Sequence, residues 1–147
     1  IALIVQVTGV LIAAAAILVA GKAVRDQLWL VTFSEYTRRY SEIMSDLPFE
    51  ARRPNSGFEI EGLPVHEKQR VLTVIRNYLN LCSEELYLFN LRRIDGTTWR
   101  IWKHGMMATA RFPCFAYAWI SLRDEYSTFP NFQFFMDEVT QDAAIEN

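Results

Sequence analysis

The side chains that ordinarily carry chemistry are few and scattered in this sequence. It holds two histidines, His66 and His104, and two cysteines, Cys82 and Cys114. None of the four stands at zinc-ligand spacing, and Cys-x-x-Cys, Gly-x-Gly-x-x-Gly, the P-loop and Gly-x-Ser-x-Gly are all missing. Glu84 and Glu85 lack the Glu-x-x-His partner that di-metal helical bundles use. Cys82 falls on an apolar stripe and reads as a small buried hydrophobe. The sequence therefore assigns no catalytic, cofactor-binding or metal-ligating residue, and the chain reads as a non-enzyme.

Two polar groups remain. Asn77, Asn80, Ser83, Glu84 and Glu85 crowd one stretch, although Asn competes for backbone groups in mid-helix. Such residues line a site, cap a neighbouring loop or pair with nearby arginines; the structural roles are expected. Arg92, Arg93, Arg100, Lys103 and Arg111 form a basic set around a turn. Arginine forks suit phosphate, so this set is the candidate contact for an anion or a lipid headgroup. The competing expectation is a solvated face, partly neutralised by Asp95, Glu84 and Glu85. A net charge of −2 disfavours DNA or RNA as the main partner.

The elements that position these residues come from apolar spacing. Trp29, Phe33, Tyr36, Tyr40, Ile43 and Leu47 recur at intervals of three and four, which predicts a helix over 22–47 with a packing stripe along one face, ending before Pro48. Residues 48–66 read as a linker, broken by Pro48, Pro54, Gly57, Gly62 and Pro64, with Phe58 to Gly62 as a surface loop. The stripe Leu72, Ile75, Leu79, Cys82, Leu86 and Phe89 predicts a second helix from Glu67 to Arg93. Asp95-Gly96 makes a turn, and Thr97 or Thr98 is expected to cap a third helix through Trp99, Trp102, Met106 and Ala110. Pro113 suits the first turn of a fourth, with Phe115, Trp119 and Leu122 on one side. A last helix opens at Asn131 and carries Phe132, Phe135, Met136 and Val139. The helical core thus covers 67–140, and 141–147 is a tail. Gly105 to Leu122 is also apolar, but Arg111 and Pro113 favour two short core helices over a membrane span.

Charge divides the chain more sharply than any motif. All 15 basic and 17 acidic residues lie between Lys22 and Glu146, and residues 1–21 carry none. As a helix those residues extend about 31 Å, close to the hydrocarbon thickness of a bilayer. They predict a transmembrane helix, with Gln6, Thr8 and Gly9 offering a weak helix–helix contact and Gly9/Ala13 and Ala16/Ala20 as small-residue pairs. A signal peptide fits less well, because Lys22 falls inside any cleavage site. Lys22 and Arg25, then Arg38 and Arg39, place the following domain in the cytoplasm by the positive-inside rule. Two scattered thiols suit a reducing compartment. The chain starts at Ile1 rather than Met, and residues before it are expected.

The segments FSEYTRRYSEIMSDLP (Phe33 to Pro48) and YLNLCSEELYLFNLRRIDGTTWRIWKHGM (Tyr78 to Met106), followed by Pro113 and Trp119, resemble the DUF4760-like bacterial proteins, over roughly Trp29 to Val139. The resemblance implies an N-terminal membrane helix and a helical cytoplasmic domain, and carries over no catalytic residue.

The expectation is therefore an all-α protein. One N-terminal transmembrane helix (1–21) continues into a long helix and is packed by a small cytoplasmic helical domain (22–147), at the bacterial inner membrane. The expected function is that of an accessory or scaffold subunit. Its expected partners are membrane lipid and either another membrane protein or a second copy, with no cofactor. Twenty aromatic residues, 10 Phe, 6 Tyr and 4 Trp, also point to a partner surface. The alternative is a membrane-anchored effector, for example in anti-phage or stress response, whose helical domain senses a nucleotide or other signal and oligomerises the spans.

Overall fold

The computed structural model describes residues 2–53 and 56–145, with side-chain surroundings described between residues 12 and 142, and among the described residues five α-helices and two 3-10 turns occur. No strand occurs among the described residues, so the all-α expectation holds. The chain divides into two compact units, Ile1–Thr37 and Arg38–Asn147. The division falls inside the first helix, whereas the charge border falls at Gly21.

Helix α1 is Ala2–Ser45. Its alanine- and leucine-rich start favours helix, and no proline interrupts it. It ends where Asp46 and Leu47 donate to the carbonyls of Ile43 and Met44, just before Pro48. Within the first unit the described side chains from Ile12 to Ala20 are all exposed. Ile12, Ile17, Leu18 and Val19 each keep about 70% of their surface open. Among the described residues, no helix is long and apolar enough to cross a membrane. The side chains of Ile1 to Leu11, which include Gln6, Thr8 and Gly9, lie outside the described residues. The stretch from Ile12 to Trp29 already contains Lys22, Arg25 and Asp26.

In the second unit Met44, at the end of α1, and Leu47, just after it, are buried. The linker that follows is partly inside: a 3-10 turn at Glu50–Arg52 seats Ala51 in the core, and Ile60 is only 3% exposed. The Phe58 to Gly62 piece is therefore anchored by one apolar side chain and is not wholly a surface loop. Gly57 has φ +70°, a left-handed position that glycine takes without a Cβ penalty. Pro54 lies outside the described residues.

Helix α2 is Val65–Asn90, starting two residues before the expected Glu67 and ending three before Arg93. Its buried face is broader than one stripe: Val71, Val74, Tyr78, Leu81 and Glu85 join Ile75, Leu79, Cys82 and Leu86. A helix covered on several sides needs this breadth. Its end is a Schellman motif, with Arg92 N–H donating to Phe89 O and Arg93 N–H to Leu88 O. Arg92 takes the left-handed position at φ +56°, where glycine is usual.

Helix α3 is Gly96–Ala110, capped by Asp95 and not by Thr97 or Thr98. The Asp95 carboxylate accepts from the backbone N–H groups of Thr97 (2.8 Å) and Thr98 (3.0 Å) and from the Thr98 hydroxyl (2.6 Å). The threonines supply the amides and the aspartate supplies the acceptor. Helix α4, Phe115–Leu122, is short and strongly apolar, and a 3-10 turn at Arg123–Tyr126 follows it. Gly105 to Leu122 is therefore two core helices, as the sequence predicts. Helix α5 is Pro130–Ile145, one residue earlier than expected, with proline in the first turn.

Helix α3 packs on α5 and α2, and α4 packs on α2. Aromatic rings fill these seams. Phe89 stacks on Trp99 (4.7 Å), and Trp99 meets Phe135 (5.4 Å). Phe132 touches Trp119, Tyr126 and Phe129 at 5.0–6.1 Å. Many of the twenty aromatics are thus core residues, which weakens the inference from their number to a partner surface.

Candidate functional site

The polar group on α2 is sorted by helix geometry into three environments. Asn77 points to solvent. Asn80 and Glu84, about one turn apart, are tied to other elements. The Asn80 side-chain oxygen accepts from the Tyr126 hydroxyl at 2.9 Å, and Arg76 nearby holds Glu125 through two bonds of 2.7 and 2.8 Å. Arg39, on the final turns of α1, holds Glu84 through two bonds of 2.7 and 3.0 Å. Ser83 donates to the Asn80 carbonyl. Pairing with nearby arginines, one of the expected structural roles, accounts for Glu84.

Glu85 is different. It is 7% exposed, on the buried face of α2. Burial pushes its pKa up to about 8; Arg39 opposes the shift and the charge of Glu84 adds to it. Removal from water disfavours the ionised form of a carboxyl. Tyr78 and Cys82 lie on the same face, seven and three residues earlier, and burial raises both well above their ordinary values. The Tyr78 ring is edge-on to Tyr40 (5.9 Å) and to Phe115 (6.2 Å), which closes this group off from solvent. The sequence carries a signal for it, since Tyr78, Cys82 and Glu85 share helical spacing. The apolar stripe through Cys82 and Leu86 passed beside Glu85 without including it.

Cys114 is buried against the linker, its thiol donating to the Ala51 carbonyl at 3.7 Å, and burial raises it to about 11. A thiol of this kind stays protonated and is a poor nucleophile. Asp137 receives the Trp119 indole N–H at 2.8 Å and the Arg123 guanidinium at 2.8–3.2 Å, and Arg123 holds it below the ordinary carboxylate range. This pair ties α4 and its 3-10 turn to α5.

The basic set is not gathered at one point. Arg92 and Arg93 are exposed at the α2–α3 turn. Arg111 is the C-cap of α3. The fifteen residues of α3 separate them by about 21 Å. Arg100 is exposed between them, and Lys103 lies 4.0 Å from Glu138 and over the Phe135 ring. Arg92 and Arg93 are adjacent at the turn, Arg100 and Lys103 lie about one turn apart on α3, and Lys103 already has a carboxylate.

The packing stripe is shared by the two units. Trp29, Phe33 and Tyr36 belong to the first, where Trp29 stacks on Phe33 at 5.6 Å. Tyr40, Ile43 and Leu47 belong to the second, and of the six only Leu47 is fully buried. His66 is exposed beside Glu67, and His104 is exposed on α3. No group of three His, Cys, Asp or Glu among the described residues could hold a metal ion. No family model matches the chain, and neither the curated proteins nor the solved structures include a match.

Proposed function

We propose that this chain is a single-pass membrane protein of the bacterial inner membrane, with its helical domain cytoplasmic, acting as a non-enzymatic accessory or scaffold subunit. One observation carries the reading. Ile12, Ile17, Leu18 and Val19 are about 70% exposed on the first helix, and residues 1–21 of the chain bear no charge. Each such side chain gains about 1.5–3 kcal/mol on leaving water, so this surface calls for lipid or for another apolar helix. The resemblance to DUF4760-like proteins adds the bacterial setting and the cytoplasmic side. The burial of Glu85 is compatible with a structural role.

The alternative, an effector that senses a nucleotide, draws on the basic set, and the spread of that set along α3 supports it less well. Two experiments separate the readings. Alkaline carbonate washing leaves an inserted chain in the membrane pellet, and release into the supernatant rules out the span. Affinity purification in mild detergent recovers a membrane partner in stoichiometric amount. A monodisperse monomer without a partner, together with nucleotide binding by calorimetry, would favour the effector.

A further inference from the structure

Helix α1 carries an exposed apolar seam. Ala14, Ile17, Gly21, Val24, Leu28 and Val31 follow one another at intervals of three and four, the seven-residue repeat by which parallel helices pack on each other. All six belong to the first unit. The four large side chains, Ile17, Val24, Leu28 and Val31, are between 55% and 72% exposed. The seam also crosses the charge border at Gly21. Lipid covers the uncharged side of that border, but Val24, Leu28 and Val31 lie on the side that holds Lys22, Arg25 and Asp26. From Lys22 to Gln27 every polar residue stands off the seam, so the apolar line is kept where composition alone no longer supplies it.

Gly21 is an independent observation. A Cβ built there meets nothing within 4 Å, so no neighbouring atom of the chain requires glycine. Glycine inside a helix is destabilising relative to alanine, and what it allows is the close approach of a second backbone. We propose that α1 pairs in parallel and in register with α1 of a second copy of this chain, along the seam from Ala14 to Val31. The parallel sense rests on the membrane reading, in which both copies cross the bilayer the same way. A parallel copy brings its own charge border to the same level, so uncharged stretch meets uncharged stretch. Arg25 flanks the seam, and the position across from it in a parallel copy is Ala20, so no like charges meet there.

Cysteine cross-linking on the full chain in detergent tests the seam. Cys82 and Cys114 are buried, so the natural chain gives the background. Single variants Ile17→Cys, Val24→Cys, Leu28→Cys and Val31→Cys are oxidised with copper phenanthroline, beside Ala23→Cys and Leu30→Cys, which are exposed but off the seam. Each seam variant forms about fivefold more disulfide-linked dimer than either control, as an in-register parallel pair requires. Equal cross-linking at all six positions, or cross-linking at one seam position alone, overturns the proposal. Leu28→Glu sets two carboxylates against each other in the seam and weakens association by about tenfold or more in sedimentation; undiminished pairing overturns the proposal as well. Carbonate washing keeps the two readings apart. Release of the natural chain overturns the membrane reading, while the cross-linking pattern in detergent still decides the pairing. Retention in the pellet with a flat pattern overturns the pairing alone.

Discussion

Glu85 controls the sign of the pH dependence expected of this fold. Its folded pKa of about 8 lies above the ordinary 4.5. Between those values the folded chain keeps a proton that the unfolded chain has lost. The stability attached to Glu85 is complete below about 4.5 and falls as pH rises toward about 8, with a slope on the order of 1.4 kcal/mol per pH unit. Asp95, Glu125 and Asp137 act in the opposite direction. Asp95 is held low first by the Thr98 hydroxyl, Glu125 by Arg76 and Asp137 by Arg123. Their contributions are present above the ordinary carboxylate range and are lost as pH falls through their folded values. The melting temperature therefore peaks in mildly acidic solution, at about pH 5, and a maximum above neutrality in a thermal scan would contradict the assignment of Glu85. Glu85→Gln flattens the alkaline side of that profile. Asp95→Ala removes the α3 cap and lowers stability by about 1 kcal/mol, read from urea unfolding.

Among the elements, the α2–α3 connection is fastened at both ends. The Schellman bonds of Arg92 and Arg93 lead within three residues to the Asp95 cap, so one helix end and the next helix start are satisfied together. Arg92 occupies the left-handed position at a steric cost that glycine avoids. Arg92→Gly is expected to stabilise the second unit by about 0.5–1 kcal/mol, measured as a shift in denaturation midpoint without a change in slope. Unchanged anion binding in that variant would also separate the turn chemistry of Arg92 from the basic-set reading. At the α4–α5 seam, Phe132 is fully buried among Trp119, Tyr126 and Phe129. Phe132→Ala leaves a cavity there and costs about 3–5 kcal/mol by the same measurement.

At the scale of the whole molecule, two materials share one chain. The first unit has helical backbone and exposed apolar side chains, and the second holds the buried core. Membrane retention and domain stability are therefore expected to separate under mutation. Leu18→Arg places a charge in the uncharged stretch at a cost of about 2.5 kcal/mol or more for insertion. The prediction is release of the variant into the carbonate supernatant, with the thermal transition of the second unit unchanged. Retention of the variant in the pellet would show that something other than the first 21 residues holds the chain to the membrane.

The amino-acid sequence by itself determined the helical class, the order of the helices and most of their inward faces. Those follow from local periodicity and from breakers such as Pro48, the Asp95-Gly96 turn and Pro130, which act within a few residues. It also determined the charge border at Gly21, which is composition alone. Tertiary structure decided what periodicity does not encode. It chose Asp95 over two threonines as the cap and drew Ile60 out of an apparent surface loop. It also parted two adjacent glutamates, giving Glu84 to Arg39 and burying Glu85. A turn of about 100° per residue sends neighbours to different surroundings, and only the packing of α1 and α2 reveals which one keeps its charge.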